Sequence, residues 1–207
     1  MIPPYSSVAG AYVFAGGRLW LDFSNSSDAR RERGHDALRT FGALLRWLEA
    51  AEVIDEGRAY IMRRRAEQQP AGAQAILQEA RRIRDGFVAL AASGAISSAS
   101  RDDACTEINR VLGRSTGVRR LTLMPDGSYM HSFVPSGDAF ATLLVPIVES
   151  AADSLAAAEF YRVRQCAGEG CERVFLDETR NGTRKWCVME ACGNREKARR
   201  FRERSAG

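Results

Sequence analysis

A chain of 207 residues that is 45% hydrophobic and 27% charged holds enough apolar side chains for one good core plus a small appendix, or for two small domains, and is no disordered or low-complexity protein. No run of about 18 apolar residues exists to span a membrane, and the start "MIPPYSSVAG" has neither the basic nor the apolar part of an export signal, so the expected location is cytoplasmic. The net charge of +4 is held unevenly: from residue 160 onward there are 12 Lys and Arg against 7 Asp and Glu, whereas the rest of the chain carries 18 against 19.

In chain order, "AYVFAGGRLWLDFSNS" predicts a hairpin turned at Gly16-Gly17, with Leu19, Leu21 and Phe23 alternating against Trp20, Asp22 and Ser24. After a charge-dense loop, Asp36 is expected to cap a helix whose Leu38, Phe41, Leu45 and Leu48 recur at helical spacing. A shorter helix over 57–68 follows. Pro70 suits the first turn of the next, where Ile76, Ala80, Ile83, Phe87 and Leu90 form one apolar stripe running to Ala92. A fourth helix, from near Ser100 to Gly113, is expected to turn Cys105, Ile108 and Leu112 inward. The period then changes, and "VRRLTLMPDGSYMHSF" predicts two strands joined at Pro125-Asp126-Gly127. A long helical pattern from Asp138 to about Phe160 is interrupted by Pro146, which should kink or split it. The fold class is therefore α+β, a mostly helical domain with short β-hairpins over 1–160, which passes with almost no linker into a cysteine-rich segment at 161–207.

Cys105 stands alone, but Cys166, Cys171, Cys187 and Cys192 fall into two Cys-x4-Cys pairs separated by fifteen residues. Two tight loops, each offering a pair of thiolates, can complete a tetrahedron around Zn(II) with little loss of chain entropy. Gly168 and Gly170 suit the first loop, "RVFLD" and "TRKWC" can pair across Asn181-Gly182, and Cys192 falls in the first turn of a helix. A knuckle, a hairpin and a ligand-bearing helix outline a treble-clef-like zinc finger, holding one structural zinc per chain; four thiolates leave no water site for catalysis. Disulfides or a redox switch are the competing readings of the same thiols, and Cys105 reads as an inert buried thiol.

The helix beginning at Cys192 is rich in cations. On a helical wheel Arg195, Arg199 and Arg202 share one face and Lys197, Arg200 and Arg204 lie roughly opposite; Ala198 and Phe201 form a narrow stripe expected to be the packing edge, and Glu196 and Glu203 fill the remaining side. With Arg184 and Lys185 from the preceding loop, Arg195, Lys197, Arg199, Arg200 and Arg202 are the candidate nucleic-acid contacts. Neutralising about five phosphates would give a log–log salt slope near −4 to −5. The competing reading is a solvated helix in which Glu196 and Arg200 form an ordinary i,i+4 pair. Gly193, Asn194 and Arg195 could equally serve to shape and brace the knuckle, and Trp186 reads as the finger's miniature core ahead of a base-stacking aromatic.

Residues 1–160 offer no catalytic constellation. His35 and His131 belong to no nucleophile or metal motif, and no phosphate-cradling glycine loop occurs. The protein is therefore not expected to be an enzyme. Asp22 and Asn25, which follow a predicted buried strand, and Arg119 and Arg120, which could complement an anion, are the candidate ligand contacts; a loop cap and two solvated strand arginines are the competing reading.

The stretch "RKWCVMEACGNREKARRFR" resembles the signature of the CGNR zinc-finger family, named for residues that stand here as Cys192, Gly193, Asn194 and Arg195. The stretches "GGRLWLDFSNS" and "LRTFGALLRWLEAAEVI" are similar to the start of the ABATE domain, which precedes that finger in the same family, so the resemblance covers nearly the whole chain. It implies a zinc-dependent, stress-responsive, DNA-binding transcription regulator: a finger at 161–207 contacting DNA behind an ABATE-like domain at 1–160 that senses a small molecule or partner. The alternative is a zinc-stabilised enzyme or adaptor with a substrate site in the larger domain. DNA readers often bind as dimers, which makes a homodimer one option. Removing zinc is expected to unfold 162–204 and leave the larger domain folded.

Overall fold

The computed structural model describes residues 7–9, 12–26, 36, 38–92, 98–114, 116–136 and 140–205. The Gly16-Gly17 step does not turn a hairpin. Strand β1 (Ser7–Ala9) pairs antiparallel with β2 (Tyr12–Phe14), and the residues read as a second strand form helix α1 (Leu19–Ser24) instead. Alternation implied one buried face, but Trp20, Leu21, Asp22, Phe23 and Ser24 are all buried. A six-residue segment covered on every side carries no readable period. Its helical form is closed locally, by the Asn25 N–H to the Leu21 carbonyl and the Ser24 hydroxyl to the Trp20 carbonyl.

Helices build the body. Helix α2 (Phe41–Ala50) is capped by Thr40, whose hydroxyl accepts the Ala43 N–H at 3.1 Å. Asp36 therefore caps no helix. It accepts the Leu38 N–H at 2.8 Å and forms an ion pair with the buried Arg84, because a buried guanidinium needs a carboxylate more than an exposed turn does. Helix α3 (Glu56–Gln68) begins on an Asp55 cap, and α4 (Pro70–Ala92) has its proline at the first position, as expected. Along α4, Ile76, Ala80, Ile83, Phe87 and Leu90 are buried in the expected stripe, joined by Ala73 and Leu77.

Helix α5 (Ser98–Arg114) buries Ala104, Ile108 and Val111, which rotates it slightly from the expected face. Cys105 is consequently exposed, not an inert buried thiol. Strands β3 (Thr116–Leu123) and β4 (Tyr129–Ser136) form the expected hairpin; Gly127 adopts φ 81° and donates its N–H to the Met124 carbonyl at 3.0 Å. Pro146 falls in the first turn of α6 (Val145–Ala156), so it starts that helix after a 3-10 turn at Ala141–Leu143. A second 3-10 turn, Glu159–Arg162, leads into the finger. His35 and the expected helix start at Asp138 lie outside the described residues, as does the side chain of His131.

In the C-terminal segment β5 (Val163–Gln165) pairs antiparallel with β6 (Val174–Leu176), and helix α7 (Asn194–Ser205) closes the chain's described part. The expected partner of β6, residues 183–187, is not a strand. Asp177 explains why. Its fully buried carboxylate accepts the N–H and hydroxyl of Thr179 on Oδ1 and the Arg184 N–H on Oδ2, which holds 177–184 as a closed loop. Strand β6 also joins the two halves of the molecule. Val174 and Leu176 belong to the core of the body, whereas Phe175 between them packs with the cysteines, the two-residue period of a strand serving two cores. Among the described residues no helix is long and apolar enough to cross a membrane.

Candidate metal centre and basic helix

Four cysteines meet at one point. Cys166 follows β5, Cys171 precedes β6, Cys187 lies just past the closed loop, and Cys192 lies in a wide helical turn, Met189–Gly193, that runs into α7. Their sulfurs lie within 4.8 Å of one another, and all four residues are buried. Cys187 Sγ stands 3.8 Å from Cys171 Sγ and 3.7 Å from Cys192 Sγ. Sulfurs placed about 2.3 Å from a zinc at tetrahedral corners would be about 3.8 Å apart, while a disulfide needs about 2.05 Å. The cysteines are free thiols positioned to bind a metal.

The surrounding backbone is shaped to the sulfurs. The Gly168 and Cys187 N–H groups point at Cys166 Sγ, at 3.5 and 3.3 Å. A Cβ on Gly168 would lie 3.3 Å from Cys192 Sγ and 3.5 Å from Cys166 Sγ, so the knuckle leaves room for a ligand cluster and nothing more. Gly193 is needed for a different reason: a Cβ there would collide with Met189 Sδ and come 3.1 Å from Trp186 Cδ1. Trp186 packs against the cysteines with Val13, Val188 and Ala15, which is the miniature core expected of it. The hydrogen bond from Cys187 pulls the Cys171 thiol down to about 5, and burial together with the neighbouring thiolates pushes Cys192 up to about 11. Cys187 is pushed up by its bond to Cys171 and by burial. Four thiols this close cannot all ionise without a cation between them, so a bound divalent metal would displace the protons that the cluster otherwise keeps.

The cations around this centre divide into two kinds. Arg184 lies over the Phe175 ring at 4.3 Å, and its guanidinium donates to the carbonyls of Trp186, Leu176, Ala15 and Cys187. Those bonds clamp the closed loop to the body. Arg199 and Arg200 both bind the buried carboxylate of Glu196, and Arg199 also reaches Glu203. Hydrogen bonds from Arg199 and Arg200 hold Glu196 down to about 2. Arg195, Lys197, Arg202 and Arg204, in contrast, form no ion pair among the described residues, and all four are exposed, as is Lys185.

The expected packing edge of α7 is reversed. Glu196 is 6% exposed, whereas Phe201 is 65% exposed and Ala198 is exposed beside it. Glu196 is buried because its carboxylate finds two guanidinium partners, Arg199 and Arg200, whereas Glu203 stays exposed. No carboxylate-bound arginine offers the same to a ring, and Trp186 and Phe175 already fill the finger's core.

The candidate ligand contacts of the body do not converge. Asp22 and Asn25 sit in and just after α1 at the junction with the finger. Asp22 Oδ1 accepts the N–H groups of Ala15 and Gly16, each at 2.8 Å. Burial pushes its carboxyl up to about 7, against the opposing pull of those two bonds and of the Arg173 and Arg184 charges. Asn25 acts as a strand partner: its amide donates to the Val174 carbonyl at 2.8 Å and accepts the Val174 N–H at 2.9 Å. Next to them Leu176 N–H bonds the Gly16 carbonyl. Arg119 and Arg120 point to opposite sides of β3; Arg119 pairs with Glu149, and no bond among the described residues joins either to Asp22 or Asn25.

Two features had no sequence signal. Arg18 bridges the halves, pairing with Glu159 of the body and at 2.9 Å with Glu178 of the finger. A cavity of about 170 Å³ opens between α4, α5 and α6, lined by Ile83, Phe87, Leu90, Ala104, Ile108 and Val148, with Arg82, Asp103 and Glu107 at hand. Phe87 packs edge-on against Trp20, whose indole donates to Ser154; Ser154 in turn donates to Glu159, the partner of Arg18.

Comparison with protein families gives two matches. Residues 17–158 match the model of the family ABATE, described as "Putative stress-induced transcription regulator", and residues 162–205 match that of the CGNR zinc finger. No curated protein matches the chain.

Proposed function

From the premise that this chain belongs to the ABATE family and ends in a CGNR zinc finger, we propose that it is a stress-responsive transcription regulator that binds DNA through α7. The observation that carries this reading is the outward side of α7. Arg195, Lys197, Arg202 and Arg204 stand exposed with no acidic partner among the described residues, on a helix whose Arg199 and Arg200 pair with Glu196. Unpaired cations on a rigid helix suit phosphate, since each contact releases a counterion. Zinc is the metal assigned to the four thiolates, one per chain; when bound it crosslinks the knuckle, the closed loop and the turn before α7. A closed shell of four thiolates leaves no position for water, so the role assigned to it is structural and the protein is read as a binding protein, not an enzyme.

The sensing step is placed in the body. The cavity between α4, α5 and α6 suits a small apolar molecule. Its Phe87 wall packs on Trp20, from which hydrogen bonds and ion pairs lead through Ser154, Glu159 and Arg18 to Glu178 of the finger. Asp22 and Asn25 are assigned to the junction, not to a ligand. The test is a fluorescence-anisotropy titration of the full chain against genomic DNA fragments at low salt, with zinc loaded and after chelation. Binding that needs the metal and weakens steeply with salt is the expected result; absence of binding by the zinc-loaded protein at low salt overturns the reading.

A further inference from the structure

The outward side of α7 is more specific than a basic patch. Arg195 and Arg202 are seven residues apart, as are Lys197 and Arg204, so each pair forms a row along the helix two turns long. Between the rows lie Ala198 and Phe201. Phe201 is flanked by Lys197 four residues before it and Arg204 three after; Ala198 is flanked by Arg195 three before and Arg202 four after. The inward side is fixed by buried Glu196 and its two arginines, so the 65% exposure of Phe201 follows from how the helix is seated.

Resting on the DNA reading above, we propose that α7 enters the major groove with Ala198 and Phe201 against thymine methyl groups, giving the finger a preference for A·T pairs. A helix with its side chains is about 10–12 Å across, and the major groove is about 12 Å wide. A helix seated there has a phosphate strand along each flank and base edges along its leading side. The two cation rows match the flanks, and the apolar pair between them matches the leading side. Neither Ala198 nor Phe201 can donate or accept a hydrogen bond, which leaves the C5-methyl of thymine as the one apolar group that the bases present in that groove. The cations grip the backbone and carry no sequence information; the apolar pair does.

Uracil tests this directly, since a duplex with every thymine replaced by uracil keeps its pairing and loses only the methyl groups. Anisotropy titrations of the zinc-loaded full chain are run against an A·T-rich duplex in both forms, with wild type, Phe201→Ala and Phe201→Leu. Wild type should bind the thymine duplex more tightly, by about fourfold for each methyl group covered. Phe201→Ala should shrink that difference while its salt dependence stays that of wild type, and Phe201→Leu should retain part of it. Circular dichroism checks that the exposed substitutions leave the helix intact. Equal affinity of the wild type for the thymine and uracil duplexes overturns the inference and leaves the DNA reading standing. Failure of the wild type to bind either duplex removes the DNA reading, and the inference with it.

Discussion

The two halves of the molecule hold themselves together by opposite means. In the body, apolar burial does the holding, and charges that enter are neutralised inward: Arg84 on Asp36, and Arg110 and Arg114 on the buried Glu79, whose carboxyl they keep low. In the finger, four thiols and a frame of hydrogen bonds around Asp177 and Arg184 replace most of that burial, and cations are left facing outward. An arginine with a buried carboxylate or several carbonyls around it holds the fold, whereas Arg195, Lys197, Arg202 and Arg204 of α7 are exposed with no ion pair among the described residues.

The largest effect should follow removal of the finger's anchor. Chelation, or Cys171→Ser, should abolish the ordered structure of 162–205, because a structural zinc supplies roughly 10–16 kcal/mol to a domain of this kind. Hydrogen exchange should then reach further than the finger. Ala15, Gly16 and Asn25 lose their partners at Arg184, Leu176 and Val174, so protection in α1 should fall while that of α4 persists. Loss of protection throughout α4 would mean that the halves are one cooperative unit. Conversely, Leu48→Ala, at a fully buried position of α2, should lower the body's stability by about 2–5 kcal/mol in a urea melt. Zinc affinity, measured by competition with a chromogenic chelator, should change little.

A smaller effect probes the junction. The folded Asp22 pKa of about 7 lies above its ordinary value of 3.8, so the folded state binds the extra proton. Its contribution to stability is complete below pH 4 and declines as pH rises from about 4 to 7, by up to about 1.4 kcal/mol per unit. Asp22→Asn keeps an oxygen for the Ala15 and Gly16 N–H groups and removes the titration. Between pH 6 and 8 the variant should gain on the wild type in denaturant melts; a wild-type and variant difference that is constant with pH contradicts this. Smallest is Glu196→Gln, which removes the carboxylate paired with the exposed Arg200 and one of those paired with Arg199, and should tighten DNA binding several-fold at low salt while steepening the salt slope. Unchanged affinity would show that the paired arginines already reach phosphate.

How much of this was legible in sequence follows from what kind of pattern each element leaves. The α4 stripe, the β3–β4 turn and the cysteine spacing were readable because periodicity, turn chemistry and ligand spacing are local properties. Helix α1 was not, because a short segment buried on every side looks the same at period 2 and period 3.6. The strand pairing of the finger differs from the expected one because Asp177, a single buried carboxylate, binds its own loop and leaves β5 as the partner of β6. For α7 the expected packing edge was Ala198 and Phe201, but which side is buried depends on Glu196 finding two guanidinium partners at once, which also sets Arg199 and Arg200 apart from the cations grouped with them. That coincidence is tertiary and leaves no trace in hydropathy.

If the outward cations of α7 grip phosphate, DNA affinity must fall with salt in proportion to their number. The four cations of α7 that have no ion pair among the described residues predict a log–log slope of about −3.6 for the zinc-loaded full chain, shallower by about 2 when Arg195 and Arg202 are both replaced by Gln. A wild-type slope near zero, or one that the double substitution leaves unchanged, would contradict that grip.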